Sequence, residues 1–165
     1  MTNPKQTISV LVNNQPGVLQ RVAGLFGRRG YNIESITVGE SEEHGLSRMV
    51  IETTGDHNTL EQIQKQLYKL IDVIKVIDLG SQAMVGRELA LIKVNAEPTT
   101  RPEIIGIVET FRAAIVDISP TTLIVQVVGD SDKIDAMVEL FRPYGIRELT
   151  RTGVTAMVRG MSVGK

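Results

Sequence analysis

Apolar residues along this chain switch between two periods, and the switches mark out its elements. Residues 7–13, built round Ile8-Ser9-Val10-Leu11-Val12, predict an Ile- and Val-rich strand. Over 17–29 the apolar positions Val18, Val22, Leu25 and Phe26 fall at i, i+4, i+7 and i+8, the stripe of a helix. Arg28, Arg29 and Gly30 finish it, with cations in the last turn and a glycine suited to a left-handed cap. Residues 31–38 predict a second strand whose apolar parity changes between Ile33 and Ile36, the mark of a bulge or bend. A polar, acidic turn spans 39–45, and a third strand spans 46–53. Gly55-Asp56 opens a second helix with Leu60, Ile63, Leu67, Leu70 and Ile71 along one face, and a fourth strand follows over 73–79.

The same order then recurs. After a small, weakly patterned stretch over 80–86, a strand is predicted over 88–96. Past the break from Pro98 to Pro102 comes a helix with Ile104, Ile107, Val108 and Phe111 on one face. Strands over 113–118 and 122–128 flank Ser119-Pro120. A helix over 131–142 turns Ile134, Met137, Val138 and Phe141 inward, Pro143 to Gly145 ends it, and a closing strand or strands cover 146–159. The tail over 160–165 is expected to fray. The pattern is βαββαβ written twice. It predicts an α+β protein of two tandem ferredoxin-like units, over 1–80 and 81–165, each an antiparallel sheet with two helices on one face. A unit of ~80 residues has a small core, so its bare sheet face or edge invites pairing with another unit.

Composition narrows the chemistry. The chain has 165 residues, 42% hydrophobic and 22% charged, with a formal net charge of −1. That balance gives no attraction to nucleic acid or to an anionic membrane. The absence of cysteine excludes a disulfide framework and a thiol nucleophile and suits a reducing cytosol. No apolar run approaches the ~18 residues of a membrane span, and the first six residues have no apolar signal core, so a soluble cytoplasmic protein is expected. His44 and His57 stand thirteen residues apart in polar stretches and read as surface residues, so no metal site is expected. No nucleophile elbow occurs, and no catalytic residue is assigned. Gly24-x-x-Gly27-x-x-Gly30 has the wrong spacing and place for a dinucleotide loop. An RNA-binding βαββαβ module needs aromatics on its central strands, and the six aromatics here fall elsewhere.

What remains is the junction between the first strand and the first helix, Asn13-Asn14-Gln15-Pro16-Gly17-Val18-Leu19. Pro16 lacks a backbone donor and Gly17 lacks a side chain, which leaves the amides of Val18 and Leu19 at the positive end of the helix. A small carboxylate fits there, with close backbone approach at Gly17. The same residues also serve as an ordinary turn into a helix.

Asn14-x-Pro16-Gly17-Val18-Leu19, then Arg21-Val22-Ala23-Gly24-Leu25-Phe26 and Arg29-Gly30-Tyr31-Asn32-Ile33-Glu34-Ser35, resemble the ACT domain of acetolactate synthase small subunits, the regulatory subunits of acetohydroxyacid synthase. The resemblance continues through Leu46-Ser47-Arg48-Met49, Arg87-Glu88-Leu89 and Arg151-Thr152-Gly153, and covers nearly the whole chain. It implies an N-terminal ACT domain and a C-terminal ACT-like domain in a non-catalytic subunit of branched-chain amino acid biosynthesis. That subunit would bind and activate a large catalytic subunit, which condenses pyruvate with pyruvate or 2-oxobutanoate. Thiamine diphosphate, Mg and FAD would sit in the catalytic subunit, with no cofactor in this chain. The expected effector is valine or another branched-chain amino acid. Where the family often carries Ser, this chain has Gln20 and Gly27, so the effector's identity stays open. The expected assembly is a homodimer through paired ACT domains with the effector at their interface. Asn14 and the amides of Val18 and Leu19 would meet its charged groups, and Asn32 and Ile33 would come from the neighbouring copy. Val18, Leu19 and Ile33 would offer an apolar pocket. A stand-alone amino-acid sensor acting on another partner is the alternative.

Overall fold

The computed structural model describes residues 3–160. The expectation of a fraying tail lies, past Gly160, outside them. Strand β1 (Lys5–Asn13) leads into helix α1 (Val18–Arg28), followed by β2 (Ile33–Glu40), β3 (Leu46–Thr54), α2 (His57–Leu67) and β4 (Val73–Asp78). The four strands form an antiparallel sheet in the order β2-β3-β1-β4. Alternation explains the layering. Ile8, Val10 and Val12 of β1, with Met49 and Ile51 of β3, pack against Val18, Val22, Leu25 and Phe26 of α1 and Leu60, Ile63 and Leu67 of α2. The intervening residues face the other way. The expected bulge in β2 is present as a register shift between Ile33 and Ser35. The α2 stripe stops one turn earlier than its period suggests. Leu70 packs against the core, but Ile71 is 92% exposed, because the chain has left the helix at Leu67.

The second run has β5 (Met84–Asn95), α3 (Arg101–Thr110), β6 (Ala114–Ile118), β7 (Thr122–Gly129), α4 (Ser131–Phe141) and β8 (Ile146–Arg151). Its sheet runs β6-β7-β5-β8, over a core that includes Ile92, Val94, Val125, Ile104, Ile134 and Phe141. Both α2 and α4 start on an aspartate that accepts a backbone amide: Thr59 N–H to Asp56 at 2.7 Å, and Lys133 N–H to Asp130 at 2.8 Å. The two units are thus mixed α+β, each with a βαββαβ core.

The last strand, β9 (Thr155–Val158), pairs with β5 as a fifth strand of the second sheet, while by compactness it groups with the first unit. Among the described residues, those up to Val85, rejoined by 154–160, make one compact unit, and Gly86–Gly153 make the other. The first crossing lies within the weakly patterned stretch over 80–86, and the sequence pattern assigns no second crossing. Val154 and Ala156 form a third apolar cluster with Val50 and Leu79, on the sheet face away from the helices. Arg159 N–H donates to the Ala83 carbonyl at 2.8 Å, and the Thr37 hydroxyl donates to the Val154 carbonyl at 3.4 Å.

In the second unit Glu88 is 4% exposed and carries a guanidinium partner. Arg151 Nε and Nη2 reach its two carboxylate oxygens at 2.5 and 3.0 Å, while Nη1 reaches Asp135 at 2.6 Å. These carboxylates raise the Arg151 pKa further above its ordinary value, the hydrogen bond to Glu88 contributing most. Removing the cation strands a desolvated carboxylate. Arg151→Ala is expected to destabilise the protein by about 3 kcal/mol in urea unfolding. In α1, a Cβ at Gly27 would meet open space, so no close packing within the chain requires a glycine there. Gly27→Ala is expected to stabilise by about 0.5–1 kcal/mol, read as a higher thermal midpoint.

Candidate functional site

Three loops meet at the end of the first sheet where β1 stops. The Asn13 amide donates to the Asp72 carbonyl at 2.9 Å, tying in the α2–β4 loop, and the Asn14 amide donates to the Gly45 carbonyl at 2.8 Å, tying in the β2–β3 turn. With its two flanks bonded, the chain turns at Pro16 and Gly17. Gly17 caps α1 at φ +84°, a left-handed conformation that supplies no side-chain cap. The strand, the tight turn and the helix start expected here are therefore present.

The open donors sit one residue later than expected. The Val18 amide closes the turn onto the Gln15 carbonyl at 3.4 Å, and the Val18 side chain is 3% exposed, inside the core. The Val18 side chain, expected to help line an apolar pocket, stands at the first inward position of the helix stripe and packs into the core. Among the described residues, the amides of Leu19 and Gln20 have no acceptor. Leu19 is 46% exposed at the corner, and Ile71 stands out from the neighbouring loop.

One charged element of this corner was not assigned from sequence. Arg21 Nε donates to Asp72 Oδ2 at 2.8 Å, the side chains being 48% and 12% exposed. A Cβ built on Gly17 would lie 2.8 Å from Arg21 Nη1, so the guanidinium folds back over the glycine. Its Nη atoms have no protein partner among the described residues, and as pure donors they cannot satisfy the open amides. A cation in the first turn opposes the helix dipole. That mismatch at Arg21 was the available signal. The corner thus gathers backbone donors, a fixed cation and a shielded carboxylate.

Asn32 and Ile33 lie elsewhere in the chain. Asn13 pairs opposite Leu46 and Ile33 opposite Thr53, so the two places are seven residues apart along β3, ~23 Å at the strand rise. Asn32 Nδ2 donates to Glu34 at 2.7 Å, its carbonyl accepts from the Thr53 hydroxyl at 2.6 Å, and Ile33 packs half-buried against the core. Within one chain the structure does not bring these residues to Asn14, Gly17 and Leu19. Strand β2 is a sheet edge, and a two-fold pairing of β2 with its copy would place Asn32 and Ile33 at the end of the joined sheet where the copy's corner lies. Among the described residues no group of three or more His, Asp or Glu converges on a metal, and no helix is long and apolar enough to cross a membrane.

A βαββαβ sheet in the order β2-β3-β1-β4 is the ferredoxin-like arrangement that ACT domains share. The model of the AHAS small subunit-like ACT domain matches residues 8–75, and that of the small subunit of acetolactate synthase matches residues 87–160. A probable acetolactate synthase small subunit of Methanothermobacter thermautotrophicus is 62% identical over 154 residues, covering 93% of this chain and 92% of that protein. The acetolactate synthase small subunit of Bacillus subtilis is 54% identical over 158 residues, covering 94% and 91%. A crystal structure of the small subunit from Thermotoga maritima superposes with a TM-score of 0.89 at 46% identity, covering 96% of this chain and 99% of that one. The chain belongs to the acetolactate synthase small-subunit family.

The glycine at the corner is testable on stability alone. Gly17→Ala forces a Cβ into the left-handed region and displaces Arg21 Nη1, and is expected to lower stability by about 1–2 kcal/mol in urea unfolding.

Proposed function

We propose that this chain is the non-catalytic, regulatory subunit of a cytoplasmic acetolactate synthase. It binds the large catalytic subunit, which carries thiamine diphosphate, Mg and FAD, raises its activity, and makes it sensitive to valine or another branched-chain amino acid. Membership of the small-subunit family supports the subunit role. The observation that carries the effector role is the corner's charge pattern. Open amides at Leu19 and Gln20 stand beside the free Nη atoms of Arg21, with the Asp72 carboxylate behind them. An amino-acid zwitterion needs donors for its carboxylate and an acceptor for its ammonium. Asp72 or the Asn14 side-chain oxygen supplies the second. Leu19 lies against the branched side chain, and Asn32 and Ile33 of a second copy close the site across a β2–β2 dimer.

Charge-assisted hydrogen bonds of roughly 1.5–3 kcal/mol each, less the entropy of ordering, fit a Kd between ~1 µM and ~1 mM. Calorimetric titration with valine, leucine and isoleucine is expected to show saturable binding of at least one of them in that range. Gly17→Asp sets a carboxylate against Arg21 and beside the ligand's own. Like charges ~4 Å apart repel by up to about 4 kcal/mol at an effective dielectric of 20. Binding of the effector should fall at least a hundredfold while activation of the catalytic subunit persists. Undiminished binding to that variant would place the effector elsewhere. Dividing activation from feedback by cutting the chain near residue 82 is unsuitable, because the cut removes Val154 and Ala156 from the first unit's third apolar cluster.

A further inference from the structure

We propose that the first unit carries a second ligand site, on the sheet face away from the helices, for a small organic anion with an apolar body. A cleft of about 350 Å³ opens there, within the size range of small-molecule sites. Its lining is divided. Arg48 of β3 and Lys75 of β4 both pair opposite Leu11 of β1, so the three stand in one row across the sheet. With strands ~4.8 Å apart, the two cations' α-carbons are ~10 Å apart, and side chains of that length converge above the nearly buried Leu11. The next row holds Ser9 and Ile77, and the Ser9 hydroxyl has no protein partner among the described residues. Leu79 and Ala156 make the apolar end, Ala156 contributed by β9.

The charges say what enters. Among the described residues Lys75 has no carboxylate partner. Arg48 Nη2 is held by both oxygens of Glu42, at 2.8 and 3.0 Å. Glu42 stands in an exposed turn, and its own backbone amide, followed by Arg48, holds its carboxyl below the usual carboxylate range. Glu42 is thus a tethered anion on one of two cations, and an incoming carboxylate or phosphate exchanges with it at Arg48 while pairing with Lys75. The apolar end takes the hydrocarbon. This site uses none of the residues at the β1–α1 corner, so it would report an organic acid independently of an amino-acid effector.

The test is methyl NMR on the full chain, titrated separately with hexanoate, hexyl phosphate, inorganic phosphate and 1-hexanol. Saturable shifts at Ile77, Leu79 and Ala156 are expected with hexanoate or hexyl phosphate, the tighter of the two identifying the headgroup. Lys75→Gln should weaken that binding about tenfold, and Glu42→Gln should strengthen it severalfold by releasing Arg48. A merely structural role for these surface residues would not move affinity in opposite directions. The proposal is overturned if 1-hexanol binds as tightly as the anions. It is equally overturned if inorganic phosphate matches hexyl phosphate, if neither variant changes affinity, or if the shifts fall on Leu19 instead.

Discussion

The first unit depends on one backbone constraint: β1 must become α1 within four residues while its flanking carbonyls and amides stay bonded. A left-handed residue at Gly17 meets it. Residues before the turn are fastened to two other loops through Asn13 and Asn14, and residues after it are fastened by Val18 and Val22 in the core. The strain and the missing side-chain cap fall between, where helix amides emerge without acceptors. A rigid frame therefore holds an unsatisfied edge in place. Those donors are thereby left facing outward, as the proposed effector role requires.

Arg21 and Asp72 refine this frame. Alone, a guanidinium in the first turn of a helix is electrostatically misplaced. Paired through Nε to a carboxylate that the fold already positions, it keeps its outward Nη atoms available. The arrangement presents both signs of charge within one corner. It suits a zwitterion better than a simple anion, and it separates this corner from the cation-rich row on the opposite face of the same sheet.

Much of the fold was legible because it is local. The 3.6-residue stripes of α1 and α4 and the parity shift at Ile33 gave elements and even an irregularity in the right places. The failures are those where a period continues past the element that carries it, or where partner choice is long-range. Ile71 keeps helical spacing after the helix has ended. Val18 and Leu19 were both assigned open amides, but the turn's own hydrogen bond consumes the first and shifts the open pair to Leu19 and Gln20. Thr155 to Val158 reads as a strand, yet alternation alone cannot say that it pairs with β5 while its apolar side packs on Val50 and Leu79. Arg21 stands in the sequence only as one residue of a helix-start motif. Its role needs the approach to Gly17, which spacing does not encode.

That last strand has a temporal side. During synthesis the chain leaves the ribosome from its N-terminus, and domains tend to fold as they emerge. Here Val50 and Leu79 must wait for Val154 and Ala156, with the entire Gly86–Gly153 unit made in between. The nascent first half therefore carries an uncovered apolar strip while the Gly86–Gly153 unit is being made. Its covering strand is among the last residues to be made.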